Sequence, residues 1–246
     1  MKTIAVINQK GGVAKTTTAA AIGAALHKRG YKVLLVDLDA QANLTACTGA
    51  KLGGAFEMLN GERVQPQQTA QGDVIGSSLQ LAAADLKLTE TGKEFKLKEA
   101  LENYSGKYDY CILDTPPQLN ILTINGLTAA DSAIIPAKAD AFSLQGITQL
   151  SQTIDAVKKY CNPSLKIAGI VLTMYNRRTI LSREVADILQ QTAQKLNTRL
   201  FDTKIRPCNA LAEAQVKKCN IFDYAPRSNA AEDYTNLTAE ILRTEI

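Results

Sequence analysis

The chain has 246 residues, 46% of them hydrophobic, with 28 basic and 24 acidic side chains and a net charge of +4. That is enough apolar material for one complete core, so a single domain over residues 1–246 is expected, and so mild a charge does not by itself call for nucleic acid. No stretch nears the roughly 20 apolar residues of a membrane span, and a strand starting at residue 3 leaves no place for a signal peptide, so a cytoplasmic protein is expected.

The first element is the β-branched run Ile4-Ala5-Val6-Ile7, which reads as a buried strand. Asn8–Thr18 follows, NQKGGVAKTTT, leading into an alanine-rich helix expected over Thr16–Lys28 and capped at Gly30. A glycine loop between a strand and a helix can wrap a phosphate with backbone N–H groups, aided by the positive end of the helix. On the general pattern G-x-x-x-x-G-K-[ST], Lys15 reaches the β- and γ-phosphates and Thr16 ligates Mg2+. Two positions depart from that pattern, with Gln9 and Ala14 standing where it has glycine. The sole histidine, His27, falls late in the same helix, where a charge favoured by the helix end explains it.

Lys32–Asp39 is a continuous apolar strand ending in two carboxylates, Asp37 and Asp39. Open α/β sheets bind ligands at the carboxyl ends of their strands; capping a helix is the alternative use of such a carboxylate, more so for Asp37 than for Asp39. From Cys47 to Gly92 the signals weaken. Gly72 and Gly76 break the pattern, Gln65–Gln71 reads as an exposed loop, Phe56–Leu59 as a helical turn, and Ser78–Ala82 as a short strand by alternation. Leu97, Ala100, Leu101 and Tyr104 share one helical face. Tyr108–Asp114 is a second apolar strand with a terminal carboxylate, stopped by Pro116 and Pro117. An aspartate so placed holds Mg2+, usually through water.

Strands and helices then alternate: helix Leu122–Ala130, strand Ser132–Pro136, helix Ser143–Lys159, strand Ile167–Thr173, helix Ser182–Lys195. Leu144, Ile147, Leu150, Ile154 and Val157 form one apolar face, and Val185, Ile188, Leu189 and Leu196 another, with a cap at Ser182. The alternation predicts an α/β fold with a mostly parallel open sheet and helices on both faces. A last helix, about Ala230–Arg243, carries Tyr234, Leu237, Ile241 and Leu242 on its apolar side. Glu232, Asp233, Glu240 and Glu245 on its polar side would be repelled by anionic lipid, so no membrane partner is expected. The five cysteines show no C-x-x-C pairing, and three read as small core residues.

The two-lysine loop K-G-G-x-x-K-T-T, the segment Asp37–Asn43, the run Asp114-Thr115-Pro116-Pro117, and the later segments Met174–Thr179 and Ile205–Ala214 resemble the ParA/Soj partition ATPases. These belong to the ParA/MinD superfamily with its deviant Walker A loop, and the resemblance spans almost the whole chain. It implies a P-loop NTPase fold and a weak, Mg2+-dependent ATPase holding ATP through Lys10, Gly11, Gly12, Val13, Ala14, Lys15, Thr16 and Thr17. It implies an ATP-sandwich homodimer in which Lys10 contacts phosphates bound by the other subunit. Lys10, Lys15 and Asp39 would be catalytic, Asp39 positioning the attacking water, and Thr16, Asp39 and Asp114 would form the metal site. Asn176 would read the adenine edge, though asparagine is as much at home in a turn, and Pro207, displaced by one position from the family's proline, would pack on the base. The family further implies that the ATP-bound dimer binds DNA non-specifically. A ParB-type centromere-binding protein would stimulate hydrolysis and release it, giving a nucleoid-associated location. Arg206, Lys217, Lys218 and Arg227 are the candidate DNA contacts, with ordinary solubilising charges as the alternative. A MinD-like membrane-cycling ATPase and a non-hydrolysing ATP-gated scaffold are the other readings carried forward.

Overall fold

The computed structural model describes residues 1–140 and 143–243; Glu245 and the side chain of Leu144 lie outside the described part. In chain order the elements are β1 (Lys2–Val6), α1 (Lys15–Lys28), β2 (Val33–Asp37), α2 (Asn43–Thr48), α3 (Ala55–Leu59), β3 (Gln67–Thr69), β4 (Gly72–Ile75), α4 (Ala84–Lys87), α5 (Lys96–Glu102), β5 (Tyr110–Asp114), α6 (Ile121–Ala129), β6 (Ser132–Lys138), α7 (Ser143–Tyr160), β7 (Lys166–Thr173), α8 (Ile180–Lys195), α9 (Asn209–Val216), α10 (Ile221–Tyr224) and α11 (Asn229–Arg243). Seven strands form one sheet in the order β3-β4-β2-β5-β1-β6-β7. All neighbours run parallel except β3, which pairs antiparallel with β4 at the edge.

Both faces of the sheet are covered, which is why its strands read as unbroken apolar runs. Ile4, Val6, Leu35 and Ile112 point into one layer, against Leu26 of α1 and Tyr234 and Leu237 of α11. Ala5, Leu34, Val36 and Leu113 point the other way, into a layer with Leu97, Leu122, Ile154 and Leu189. Each such buried aliphatic side chain contributes about 1.5–3 kcal/mol. The expected face Leu97, Ala100, Leu101 and Tyr104 is buried throughout.

The strand order sets where a ligand can sit. The chain leaves β1, skips a strand position to make β2, and later fills the gap with β5 before crossing to β6 on the other side of β1. Pairing places Val6 and Asp37 on either side of Asp114. The loops that follow β1, β2 and β5 therefore leave the same edge side by side, at a switch point of the sheet.

Several local expectations are corrected. The expected loop Gln65–Gln71 contains β3, and the supposed breaker Gly72 starts β4. Gly72 has φ +121, and a Cβ there would sit 2.9 Å from the Val33 carbonyl oxygen. Here glycine permits the edge strand instead of interrupting it. Ser78–Ala82 is not a strand; Leu79–Ala83 forms a 3-10 turn with Leu79 exposed and Leu81 buried, so the alternation was that of a turn. Helix α8 starts at Ile180 and is capped by Thr179, whose hydroxyl accepts the Ser182 N–H at 3.3 Å, because Ile180 and Leu181 are exposed and masked the start. Ile188 is also exposed, whereas Val185 and Leu189 are buried. Asp233, assigned to the solvent side of α11, is buried. Among the described residues no helix is long and apolar enough to cross a membrane.

Replacing Gly72 by alanine forces a side chain into both a left-handed backbone and the Val33 carbonyl. It is expected to destabilise the chain by at least ~2 kcal/mol, lowering the melting temperature by roughly 4–8 °C. An unchanged melting curve would contradict this account of the edge hairpin.

Candidate functional site at the carboxyl edge of the sheet

The loop between β1 and α1 is tied to the ends of β6 and β7. The Asn8 amide donates to the Pro136 carbonyl at 2.7 Å while its side-chain oxygen accepts the Lys10 N–H at 2.9 Å. The Thr173 hydroxyl donates to the Val13 carbonyl at 3.2 Å. Gly12 and Ala14 both have left-handed backbones, with φ 71 and 65. Ala14 is the residue immediately before α1; for a residue with a Cβ this conformation costs about 1–2 kcal/mol.

Lys15 opens α1 and is buried, its ammonium donating to the Lys10 carbonyl at 3.1 Å. Burial pulls its pKa down, and the nearby Asp114 and Asp39 carboxylates pull it back up. Asp114, at the end of β5, is fully buried, and neither carboxylate oxygen has a hydrogen-bond partner of good geometry. Burial and the neighbouring Asp37 push its pKa well up, against the Thr16 hydroxyl and Lys15, which favour the charged form.

The two aspartates of the second strand have different surroundings. Asp37 accepts three hydrogen bonds, from the Thr45 N–H at 2.8 Å, the Thr45 hydroxyl at 2.7 Å and the Asp39 N–H at 3.1 Å. It anchors the start of α2, and burial pushes its pKa to about 6 despite those bonds. Asp39 lies just past the strand, half-buried, accepting the Gln41 N–H at 3.0 Å, and its carbonyl is held by the Ser77 hydroxyl at 2.6 Å. Only Asp39 of this pair lines the cleft.

That cleft, of about 750 Å³, is bounded by Gly11, Gly12, Ala14, Lys15, Thr16 and Thr17 on one side and by Asp39 and Pro117 on another. Its remaining walls are α2, with Asn43, Ala46 and Cys47, and α9 with the turn beyond, including Gln215 and Lys218. The Gln215 amide donates to the Thr17 hydroxyl at 3.0 Å. The sequence offered no sign of this contact, since the two residues lie 198 positions apart. The loop's other long-range anchor, Thr173, was visible only as the end of a strand.

Lys10 is turned aside from the cleft, its ammonium bound to both oxygens of Asp140, one of them at 2.6 Å. Asn176 and Pro207 do not line the cleft either. Both are exposed, and the Asn176 side chain accepts the Arg178 N–H at 3.1 Å, the turn-forming alternative. Their segments do meet, through the Tyr175 N–H and the Ile205 carbonyl at 2.9 Å. Arg206 has its guanidinium on both oxygens of the buried Asp233 and on Glu232, at 2.6–3.1 Å, which pushes its pKa up. That charge closes a clasp between the Ile205 segment and α11. Lys217, Lys218 and Arg227 are exposed. Lys218, with φ 54, stands at the rim of the cleft and packs over Gly49.

A buried carboxylate without hydrogen-bond partners, next to a helix-start threonine hydroxyl, fits a hydrated divalent cation. Among the described residues no cluster of three or more histidine, cysteine, aspartate or glutamate side chains could chelate an ion unaided. That suits a cation shared with phosphate oxygens.

Residues 1–167 match the family model described as AAA domain, and residues 91–246 match that of the 4Fe-4S iron sulfur cluster binding proteins, NifH/frxC family. Within the second range Cys111 is a fully buried residue of β5, its thiol pKa pushed up by burial. The sporulation initiation inhibitor protein Soj of Bacillus subtilis is 38% identical over 250 residues, 98% of either chain. The chromosome partitioning protein ParA of Caulobacter vibrioides is 35% identical over 260 residues, covering 100% of this chain and 95% of that one. A crystal structure of cobyrinic acid a,c-diamide synthase from Mycobacterium smegmatis, with bound ATP analog and magnesium, superposes with a TM-score of 0.86 at 34% identity, covering 100% of this chain and 96% of that one. The two-lysine loop, the carboxylate-ended strands around it and these full-length similarities agree: the chain belongs to the ParA/Soj family of chromosome- and plasmid-partitioning P-loop ATPases.

Proposed function

We propose that residues 1–246 act as one ATPase domain that moves or positions a replicon, binding ATP and Mg2+ in the cleft at the carboxyl edge of the sheet. The observation that carries this reading is the buried, unpartnered Asp114 carboxylate set against Lys15 and Thr16 at the start of α1. Bound Mg2+ would supply positive charge against the phosphate oxygens, held by Thr16 and, through water, by Asp114 and Asp39. Backbone N–H groups from Gly11 to Thr17 cradle the phosphates, and Lys15 supplies a fixed cation already stripped of most of its water. Asp39, half-exposed on the cleft wall, orients the attacking water.

Two such chains enclose the nucleotide, each contributing Lys10 to the other's phosphates. Hydrolysis removes the γ-phosphate that bridges the halves, so the dimer is the ATP state and the monomer the ADP state. The step is slow, and a ParB-type partner completes it. DNA is bound non-specifically through exposed basic side chains that release counterions; Lys217, Lys218 and Arg227 remain the candidates, doubled by dimerisation. The protein then sits in the cytoplasm on the nucleoid.

Three outcomes are expected. Lys15→Gln abolishes nucleotide binding in a calorimetric titration, and undiminished affinity would remove the P-loop assignment. DNA is retained with ATP but not with ADP or without nucleotide, and retention falls between about 50 and 200 mM salt; salt-independent or nucleotide-independent retention would count against the partition cycle. Asp114→Asn keeps the shape of the side chain but removes its charge, so the Mg2+ dependence of nucleotide affinity is lost; an unchanged Mg2+ dependence in the same titration would remove Asp114 from the metal site.

A further inference from the structure

The loop lysine assigned to the other subunit is not idle in the single chain. Lys10 and Asp140 form a two-pronged ion pair, with Nζ at 2.5 Å and 2.6 Å from the two carboxylate oxygens and both side chains about three-quarters buried. Asp140 stands just beyond β6, its N–H bonded to the Lys138 carbonyl at 2.8 Å. The loop it reaches is the one that Asn8 ties to Pro136 of the same strand. Carboxylate and ammonium are thus carried by two segments locked to each other through β6. Helix α7 closes the arrangement, with Gly146 against Asn8 and the Lys10 stem.

We propose that Asp140 is the positioning residue for Lys10: it holds the signature lysine in cis in the monomer, and the lysine must leave it before reaching phosphates bound by a second copy of this chain. This rests on the proposed role of Lys10 across the dimer. An ammonium holding two carboxylate oxygens cannot at the same time give its best contacts to a phosphate some distance away. The ion pair is therefore a competitor of the closed dimer, and it sets the protein concentration at which ATP can drive closure. A symmetric dimer opens two such pairs, so their effects multiply.

The test is sedimentation of the full chain with Mg2+ and a non-hydrolysable ATP analogue over a range of protein concentrations. Asp140→Asn is expected to lower the half-dimerisation concentration about threefold for each ion pair removed, hence about tenfold in all. Asp140→Glu, which restores the charge, returns it towards the parent value. In a Lys10→Ala background Asp140→Asn does not restore dimerisation, as it would if the carboxylate opposed closure by a route other than holding Lys10. Unchanged or weakened dimerisation of Asp140→Asn, or the same change with and without Lys10, would overturn the proposal. If Asp140→Asn does not fold, Asp140→Ser provides the same comparison. The two readings fail separately. If Lys10→Ala alone still dimerises with the analogue, the trans role of Lys10 falls and takes the latch with it. If Lys10→Ala blocks dimerisation but Asp140→Asn does not promote it, only the latch falls.

Discussion

The Lys15 ammonium lies where water is scarce, with Asp39 and Asp114 as its near opposite charges, and much of the chain is arranged around keeping it there. A buried cation is tolerable only with opposite charge and hydrogen bonds at hand. The hydrogen bond comes from the Lys10 carbonyl, five residues earlier, and the charges come from the ends of two other strands. Such a convergence requires a parallel sheet with β5 between β1 and β2, because only then do three carboxyl ends meet. The apolar layers on both faces hold that sheet rigid. The stability lost at Asp114, whose carboxylate has no donor of good geometry, is supplied by the layers elsewhere, and the same lack leaves its oxygens available to a cation.

Ala14 is the point at which the loop departs from a glycine pattern, and its backbone makes the departure concrete. The residue keeps the left-handed conformation that glycine would adopt freely. The methyl group therefore strains the loop without redirecting it, because Asn8, Thr173 and the Lys15 ammonium fix the chain on either side. Strain of about 1–3 kcal/mol at a functional loop is a usual magnitude.

Much of the architecture could be read from the sequence because apolar runs, glycines and strand-terminal aspartates are local signals. Strands β1, β2, β5, β6 and β7 and the helices following β1, β5 and β6 lie close to where the apolar pattern puts them, and the helix following β7 starts two residues earlier. The site was readable for the same reason, with Lys15, Thr16, Asp39 and Asp114 all brought to one edge. What escaped were relations between distant residues. Asp37 and Asp39 look equivalent in sequence, yet only the fold supplies Thr45 to occupy the first. Arg206 counts as a free positive charge until Asp233, 27 positions later, is found beneath it. Asn176 carries two compatible readings, and its own turn claims the side chain. At the β3–β4 edge a glycine was taken for a break because nothing local shows that Val33 lies 2.9 Å from where its Cβ would be.

The two loop lysines illustrate how one short segment can serve two purposes. The main chain of Lys10 belongs to the cis site, through the carbonyl that receives Lys15, while its side chain is directed to Asp140. The residue is thereby held at both ends. A phosphate that draws the Lys15 ammonium towards itself weakens the hold on the Lys10 carbonyl, while leaving the ion pair to Asp140 intact. Occupancy of the cis site loosens the lysine's backbone but does not by itself release its head group. On the proposed dimer, release needs a competing anion, and the phosphates of a second nucleotide-bound copy would supply it.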